Sequence, residues 1–374
     1  MTIRLRIDTW SREARCLRSP QPNDRGRAWL LAVRKAILPK RVLCILREIS
    51  ANCAIEDFRM QIFHKLEDVP ANFGHTLLTV GNFDGVHRAH THVLDELVRR
   101  ARQQNAKAMA VSFEPHPMRI LRPDSGLKLI TPLPEKLRLL EATGLDAVLL
   151  LPFGRDLSMM TPHQFAERIL EKKLHAREVH EGYNFRFGHK AAGNIEMLTE
   201  FGCNLGFEVM VYPEMRLRGE PVSSSHIRSL LNDGRVSRAR HLLGRPFSIL
   251  STPGRGRGYG SKYTVPTINL SRYEELVSKD GVYISRTRVG LECFDSVTNV
   301  GNRPTFGTDS FAVESHLLNF HPLELTPETE VEIHFLQRLR DEIKFPSIDA
   351  LREQIGKDVK KAERYFRGLQ KAKH

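Results

Sequence analysis

Apolar and polar positions in the first two thirds of the chain follow two alternating patterns. Short apolar runs predict β-strands at residues 76–80, 108–113, 146–151 and 208–212, with a further strand around Val179. Between these runs, residues 92–103 and 134–142 carry apolar side chains at helical spacing. Strands that alternate with helices need crossover connections, which give a parallel sheet with helices on both faces. We therefore predict a Rossmann-like α/β domain over residues 60–243.

The pattern changes after residue 243, where an all-β segment is predicted. Short apolar runs separated by Gly, Pro, Asn and Asp lie at residues 247–251, 265–270, 281–289, 296–300, 313–320 and 331–337. Strands at this spacing, without helices between them, predict a six-stranded β-barrel. A last helix follows Ser347, with one apolar face formed by Ile348, Leu351, Ile355, Val359, Ala362 and Phe366. We expect this face to dock on the barrel, so that residues 244–374 form a second domain.

The first 59 of the 374 residues differ from the rest in pattern and in charge. Their apolar positions have weak periodicity, and they hold 13 of the 57 Lys and Arg residues but 6 of the 44 acidic ones. We predict that residues 1–59 are a dispensable basic extension and that the functional chain begins near Met60. Basic charge confined to one arm makes non-specific contacts with polyanions. No nucleic-acid partner is therefore expected, although the net charge is +13.

The composition also argues against a membrane protein and a disulfide-bonded protein. The longest apolar runs are far shorter than the ~20 residues of a membrane-spanning helix, and the first 30 residues lack the apolar core of a secretory signal. The five cysteines are scattered without CxxC spacing, so neither a disulfide framework nor structural zinc is expected. We predict a cytoplasmic protein without a membrane partner, and the composition leaves an oligomer open.

The segment 81–90, Gly-Asn-Phe-Asp-Gly-Val-His-Arg-Ala-His, joins the first predicted strand to the first predicted helix. Ligands bind at this end of parallel strands, and Gly81 and Gly85 let the backbone turn tightly beside a ligand. His87 and His90 project to one side of the first helical turn, near unpaired N–H groups and the positive end of the helix dipole. This arrangement favours a polyphosphate site. The alternatives are a zinc pair, which would need further ligands, or two surface histidines.

The same segment resembles the signature of bacterial bifunctional riboflavin kinase/FAD synthetases. Further blocks of that family match in order at residues 113–117, at Thr131 with Lys136, and at residues 182–188 and 222–228. The matching covers about residues 60–366. The resemblance implies two ATP-consuming reactions with Mg²⁺ as cofactor: riboflavin is phosphorylated to FMN, and FMN is adenylylated to FAD with release of pyrophosphate. The expected partners are thus small molecules: ATP, riboflavin and FMN.

The resemblance also assigns roles to residues of the first domain. It implies that the catalytic residues, which hold the ATP phosphates, are His87, His90 and Arg228. Further ATP contacts are implied for Gly81, Asn82, Phe83, Asp84, Gly85 and Ser224, and Asp84 and Asn82 would shape the turn and meet magnesium or the nucleotide. The implied flavin contacts are Asn184, Phe185, Phe187 and His116. From the residues alone, three simpler interpretations stay open: a strand-ending turn at 113–117, a plain helix N-cap at 223–228, and burial of both phenylalanines in the core.

A second set of family blocks lies in the predicted barrel. Residues 264–270 resemble the nucleotide-binding block of riboflavin kinases, which implies that Thr267 and Asn269 bind Mg²⁺ and ATP. A hydroxyl and an amide oxygen suit this ion. Residues 313–316 match a further block, in which Glu314 corresponds to the catalytic base that accepts the proton of the riboflavin 5′-hydroxyl. Without that resemblance, a lone Glu on a strand would be interpreted as facing solvent.

The glycine-rich segment 255–260 is the last candidate for nucleotide binding. Its successive glycines expose backbone N–H groups and its arginines add positive charge, so Arg255 and Gly256 are expected to cover the ATP phosphates. The alternative interpretation is a flexible linker or an RNA-binding patch.

The chain departs from the family pattern at a few positions. Ala89 stands where the family has glycine between the two histidines, Asn184 where Asp is common, Ser225 where Thr is common, and Thr264-Val265 where Gly-Phe is usual. Two alternative functions therefore remain beside the bifunctional enzyme. The first is an adenylyltransferase, or another nucleotidyltransferase, with an inactive barrel. The second is a flavin- or RNA-binding module on a degenerate scaffold.

Overall fold

The computed structural model describes residues 59–254, 267–271, 273–302, 311–323 and 325–371. The predicted N-terminal extension lies outside the described residues, apart from Arg59. Arg255 and Gly256 of the glycine-rich segment also lie outside them. Among the described helices, none is long and apolar enough to span a bilayer.

The described chain contains a parallel sheet of six strands: β1 (Gln61–Phe63), β2 (Thr76–Val80), β3 (Lys107–Glu114), β4 (Ala147–Pro152), β5 (Ala176–Gly182) and β6 (Glu208–Tyr212). Their order across the sheet is β1-β4-β3-β2-β5-β6. The chain thus leaves β2 toward β3 and β4, and later crosses to β5 on the other side. Such a reversal opens a ligand crevice at the carboxyl ends of the two strands concerned, here β2 and β5.

Helices cover both faces of this sheet, as predicted. The described helices of this half are α1 (Arg88–Gln103), α2 (Pro117–Leu121), α3 (Leu133–Glu141), α4 (Arg155–Met159), α5 (Pro162–Phe165), α6 (Ile195–Leu205), α7 (Ser224–Asn232) and α8 (Val236–Leu243). Of these, α1, α3, α5 and α6 pack on the sheet. The helices α1 and α3 bury alternate strand residues such as Leu77 and Val148. On the opposite face, α5 and α6 bury Leu78 and Leu149. A small hairpin, β7 (Arg216–Leu217) and β8 (Glu220–Pro221), precedes α7.

The second half forms an antiparallel sheet: β9 (Phe247–Ser251), β10 (Thr267–Asn269), β11 (Gly281–Val289), β12 (Glu292–Asn302), β13 (Phe311–Leu317) and β14 (Val331–Arg340). Its order is β10-β13-β12-β11-β14-β9. The two edge strands approach each other at a bridge between Pro253 and Leu270. There Gly254 N donates to Asn269 O at 2.8 Å. The sheet therefore curls into a barrel, which confirms the predicted all-β architecture.

The last helix, α9 (Ile348–Lys371), docks on the barrel only in part. Ala362 and Phe366 pack with Val282 and Ile284 on the outer face of the barrel. The first turns carry the rest of the predicted apolar face, but their side chains stay 56%, 39% and 37% exposed at Ile348, Leu351 and Ile355. The prediction that the whole face docks is therefore wrong for this part of the helix, because the outer apolar cluster of the barrel meets only the C-terminal half.

The two halves share a core where α7 and α8 meet the barrel. Leu230 and Leu242 of these helices belong to one buried cluster with Tyr283, Ile333 and Phe335 of the barrel interior. This core contains residues from both sides of residue 243. The domain division predicted there stays a prediction.

Candidate active sites

The histidine loop, residues 81–87, connects β2 to α1 at the crevice. Its backbone is left-handed at three positions, with φ of 48° at Phe83, 86° at Gly85 and 36° at Val86. Only glycine adopts this conformation readily, and a Cβ on Gly85 would also lie 3.4 Å from Ile130 Cδ1. The predicted tight turn is therefore present, and it delivers His87 as the N-cap of α1.

The two histidines of the loop lie together, as predicted. Their imidazole rings stack with centroids 3.7 Å apart and planes 15° apart. Burial lowers the pKa of His87 to about 4, and burial with the neighbouring His87 lowers the pKa of His90 well below its usual value. Both rings are therefore neutral at pH 7. His87 Nδ1 accepts a hydrogen bond from His90 N at 3.4 Å, so Nε2 carries the proton and can donate to a ligand oxygen.

A buried nitrogen atom of His90 is a second indication of a ligand site. Its Nδ1 atom has no hydrogen-bond partner among the described residues. Buried side-chain nitrogens are normally hydrogen-bonded, so a bound oxygen atom would complete this site.

No cluster of three or more His, Cys, Asp or Glu side chains that could hold a metal occurs in the described ranges.

Asp84 joins the histidine loop to α7. Its Oδ1 accepts hydrogen bonds from the backbone N–H groups of Ile130 at 2.9 Å and Thr131 at 3.1 Å. Its Oδ2 accepts from Arg228 Nη2 at 2.5 Å. In addition, Ser224 Oγ donates to the Asp84 carbonyl at 2.8 Å. Asp84 therefore contacts two predicted site residues, Ser224 and Arg228, that are distant from it in sequence, and it organises the site through protein contacts.

A lysine and a histidine line the same region from β3, α2 and α3. Lys136 Nζ donates to Ser112 Oγ at 3.2 Å and to Asn82 O at 3.4 Å, and burial lowers its pKa. Burial also lowers the pKa of His116 to about 4, against the opposing effect of the Asp84 carboxylate. Sequence reasoning gave Lys136 no role, although its position in a family block was the available signal.

The pairing of β10, β12 and β13 places the predicted kinase residues side by side. Thr267 pairs with His316 and Asn269 with Glu314 between β10 and β13, and Glu314 pairs with Asn299 of β12. Paired residues in a ladder project to the same face of a sheet. Their sequence neighbours Ile268 and Val313 belong to the barrel core, so the paired residues project from the outer face. Their hydroxyl, amide and carboxylate oxygens are ligands that Mg²⁺ prefers. The residues present therefore fit a magnesium ion that accompanies a nucleotide.

Comparison with known proteins finds matches to both halves of the chain. A family model described as FAD synthetase matches residues 69–226, and one described as riboflavin kinase matches residues 243–366. The bifunctional riboflavin kinase/FMN adenylyltransferase of Buchnera aphidicola subsp. Schizaphis graminum is 31% identical over 311 residues, covering 81% of this chain and 97% of that protein. The Escherichia coli K12 protein of the same name is 32% identical, covering 82% and 97%. The chain belongs to the bifunctional riboflavin kinase/FMN adenylyltransferase family.

This membership confirms the family predicted from the sequence, and with it an enzyme that combines riboflavin kinase and FMN adenylyltransferase domains. A crystal structure described as a macrolide-efflux protein from Streptococcus pneumoniae matches with a TM-score of 0.74 at 24% identity. It covers 81% of this chain and 98% of that one, and at this identity it shows the fold alone.

The two phenylalanines of the predicted flavin loop differ in their burial. Asn184 is exposed and Phe185 is half-buried. Phe187 is only 7% exposed and belongs to the core between α5 and α6. The centroids of the two rings lie 5.3 Å apart in a stacked arrangement, so the buried Phe187 supports the more exposed Phe185. The burial of Phe187 favours the simpler interpretation for that residue, and the flavin contacts stay predictions.

Glu181 is a buried carboxyl at the crevice that sequence reasoning missed. The ladder between β2 and β5 ends where Leu78 pairs with Val179. Beyond that point, Val80 N donates to Glu181 Oε1 at 2.6 Å, so the side chain takes the place of a ladder hydrogen bond. Burial raises the pKa of Glu181 well above its usual value, which favours the neutral acid. The only signal in the sequence was an acidic residue directly before the flavin loop.

A ring of hydroxyl groups lies inside the barrel behind Glu314. Its members are all fully buried: Ser285, Thr287, Ser296, Thr298 and Ser315. Five hydrogen bonds of 2.7–3.0 Å close the ring, so that each hydroxyl has two partners within it. Because each hydroxyl can donate once and accept once, the ring satisfies all of its donors. It links β11, β12 and β13, and thereby supports the strand that carries Glu314.

Proposed function

We propose that the chain is a cytoplasmic enzyme that makes FMN from riboflavin in its barrel half and FAD from FMN in its α/β half, using ATP and Mg²⁺ for both. The main support for this proposal is that Arg228 and Ser224 contact Asp84 in the loop of the stacked histidines, at the crevice between β2 and β5. The strand register that collects Thr267, Asn269 and Glu314 supports the kinase step.

In the α/β half, a phosphate oxygen of FMN attacks the α-phosphorus of ATP, and the bond to the pyrophosphate breaks. A phosphate is already a nucleophile, so catalysis requires alignment and stabilisation of charge on the leaving group. The neutral His87 donates its Nε2 proton in a hydrogen bond to a phosphate oxygen. Arg228, held at Asp84, supplies positive charge and a planar pair of donors. Lys136 adds a further donor beside Asn82.

In the barrel half, the 5′-hydroxyl oxygen of riboflavin attacks the γ-phosphorus of ATP. The bond between the β- and γ-phosphates breaks, ADP leaves, and the hydroxyl proton passes to the Glu314 carboxylate. An alcohol needs such a base because it is a weak nucleophile at neutral pH. Thr267 and Asn269 would hold Mg²⁺, which neutralises phosphate charge when bound.

A product assay tests this proposal and separates the alternatives. The full-length protein is incubated with MgCl₂, with either ATP or CTP, and with either riboflavin or FMN, and the flavin nucleotides, nucleoside diphosphate and pyrophosphate are separated by chromatography. The expected result is FMN and FAD from riboflavin. FAD from supplied FMN alone would favour the adenylyltransferase with an inactive barrel, and transfer only from CTP would favour another nucleotidyltransferase. Absence of all products, with flavin still bound, would overturn the enzymatic proposal in favour of a binding module.

A further inference from the structure

An arginine at the junction between the two halves contacts the histidine loop. Arg245 lies between the end of α8 and the start of β9. Its Nη2 donates to the Gly85 carbonyl at 2.8 Å and its Nη1 donates to the Val86 carbonyl at 3.1 Å. The side chain is half-buried. Burial lowers its pKa to about 10, so the guanidinium stays charged at pH 7.

The two carbonyls that Arg245 holds belong to the most constrained part of the loop. Both residues are left-handed, and for a β-branched residue such as Val86 this conformation has a steric cost. Contacts from outside the loop must offset that cost. The peptide group that follows Val86 is planar, so anchoring its carbonyl also fixes the plane from which His87 emerges.

The junction contacts the histidine loop on the other side of His87 as well. Arg88 Nε donates to the His241 carbonyl of α8 at 3.1 Å. Gly244 is left-handed, and a Cβ at that position would lie 3.2 Å from Arg88 Cγ. The junction therefore holds the residues immediately before and after His87.

We propose that Arg245 is a positioning residue for adenylyl transfer, which fixes the histidine loop through the carbonyls of Gly85 and Val86. This inference rests on the proposed function of that loop. Arg245 lies in the segment that matches the riboflavin kinase model, yet it contacts a loop in the segment that matches the FAD synthetase model. The adenylyltransferase site thus depends on a residue beyond the predicted division at 243.

Arg245 also acts on His87 through its charge. Burial is the main cause of the low pKa of His87, a backbone hydrogen bond acts in the opposite direction, and the positive charge of Arg245 lowers the pKa further. The neighbouring His90 ring is stacked on His87 and is itself neutral at pH 7. Removing the guanidinium should therefore raise the pKa of His87, whereas a lysine, which keeps the charge, should leave it unchanged.

Variants of the full-length protein test this role. Arg245→Met removes both the charge and the donors, and Arg245→Lys keeps the charge but not the planar fork. Arg240→Met, on an exposed residue of α8, is the matched control. We expect Arg245→Met to lower kcat for FAD formation from FMN about tenfold through misplacement of the loop, with riboflavin phosphorylation unchanged. Arg245→Lys should recover part of that loss, and Arg240→Met should behave like the wild type.

The pKa of His87, followed by NMR of the imidazole protons, is the second measurement. It should rise in Arg245→Met and stay unchanged in Arg245→Lys and Arg240→Met. An unchanged rate of FAD formation in Arg245→Met would overturn the inference. An equal fall in both reactions together with a lower melting temperature would also overturn it, by showing a general structural role. If the wild type makes no FAD, the proposed function fails, and an unshifted His87 pKa would separately refute the contact.

Discussion

The α/β half assembles its candidate site from a loop and helix ends that converge at the carboxyl ends of strands, whereas the barrel half assembles its site from the register of paired strands. In the first case, the ion pair between the buried Asp84 and the half-buried Arg228 holds the pieces together. In the second case, the backbone ladder aligns Asn269 with Glu314, and the hydroxyl ring supports the strand from inside. The two sites should therefore respond to different kinds of substitution.

The strongest loss of activity is predicted for the kinase reaction. Glu314→Gln removes the proposed base but keeps the size of the side chain, so FMN formation should fall by about 10²–10⁴-fold. Adenylylation of supplied FMN should continue at the wild-type rate. The control is Glu328→Gln, on an exposed residue. Steady-state assays of FMN and FAD formation check this prediction, and a full kinase rate in Glu314→Gln would exclude the residue as the base.

Substitution of Asp84 should break the other site. Asp84→Asn removes the charge that pairs with Arg228 and should lower FAD formation about 100-fold, with a loss of about 3 kcal/mol in the free energy of unfolding. Riboflavin phosphorylation should be retained at temperatures where the variant is folded. Asp156→Asn is the exposed control. Chemical denaturation and the two activity assays give the answer; a fall in kinase activity of the same size would contradict the separate construction of the two sites.

The hydroxyl ring of the barrel offers a smaller effect, on stability. Ser315→Ala removes one hydroxyl and leaves Thr287 and Thr298 each with one lost partner. Unsatisfied buried hydroxyls should lower the free energy of unfolding by about 1–3 kcal/mol. Ser237→Ala, on the exposed face of α8, should leave stability unchanged. Urea denaturation measures both variants, and a neutral Ser315→Ala would mean that the ring contributes nothing to barrel stability.

Acid should weaken the α/β half through a buried network on β5. Burial opposes ionisation of Glu178, but hydrogen bonds from Arg100, Gln104 and His180 outweigh it and lower the pKa to about 2 from the usual 4.5. Because the folded-state pKa is the lower one, the stabilisation is complete above about pH 4.5 and is lost as the pH falls toward 2. Glu178→Gln should therefore flatten the loss of stability over this range. Denaturation midpoints at several pH values test this, with Glu200→Gln as exposed control.

Much of the fold was predictable because local patterns and tertiary packing agree. The apolar runs identified β2, β3 and β4, since fully buried parallel strands read as continuous apolar segments. The amphipathic pattern of α9 identified its apolar face but could not show how much of that face is covered. The hydroxyl ring was hidden for a related reason, because Ser and Thr at alternate strand positions look like solvent-facing residues.

The candidate sites were predictable where a motif is contiguous. His87, His90 and Asp84 stand in one short segment, and the family resemblance linked them to Arg228. Glu181 and Arg245 were missed because their contacts with Val80 and with the histidine loop exist only after strands and halves have come together. A single sequence carries no record of such pairings, which form only in the folded chain.

The packing of α7 and α8 on the barrel has a consequence for how the enzyme fails. Leu231 lies in the shared cluster, and its carbonyl accepts hydrogen bonds from Lys279 N and from Ser278 Oγ in the segment before β11. Cleavage at the junction would bare apolar faces on both fragments, which invites aggregation. Heat should accordingly inactivate the two reactions together, in a single cooperative melt, so that a temperature-sensitive lesion in either half starves the cell of both flavin nucleotides at once.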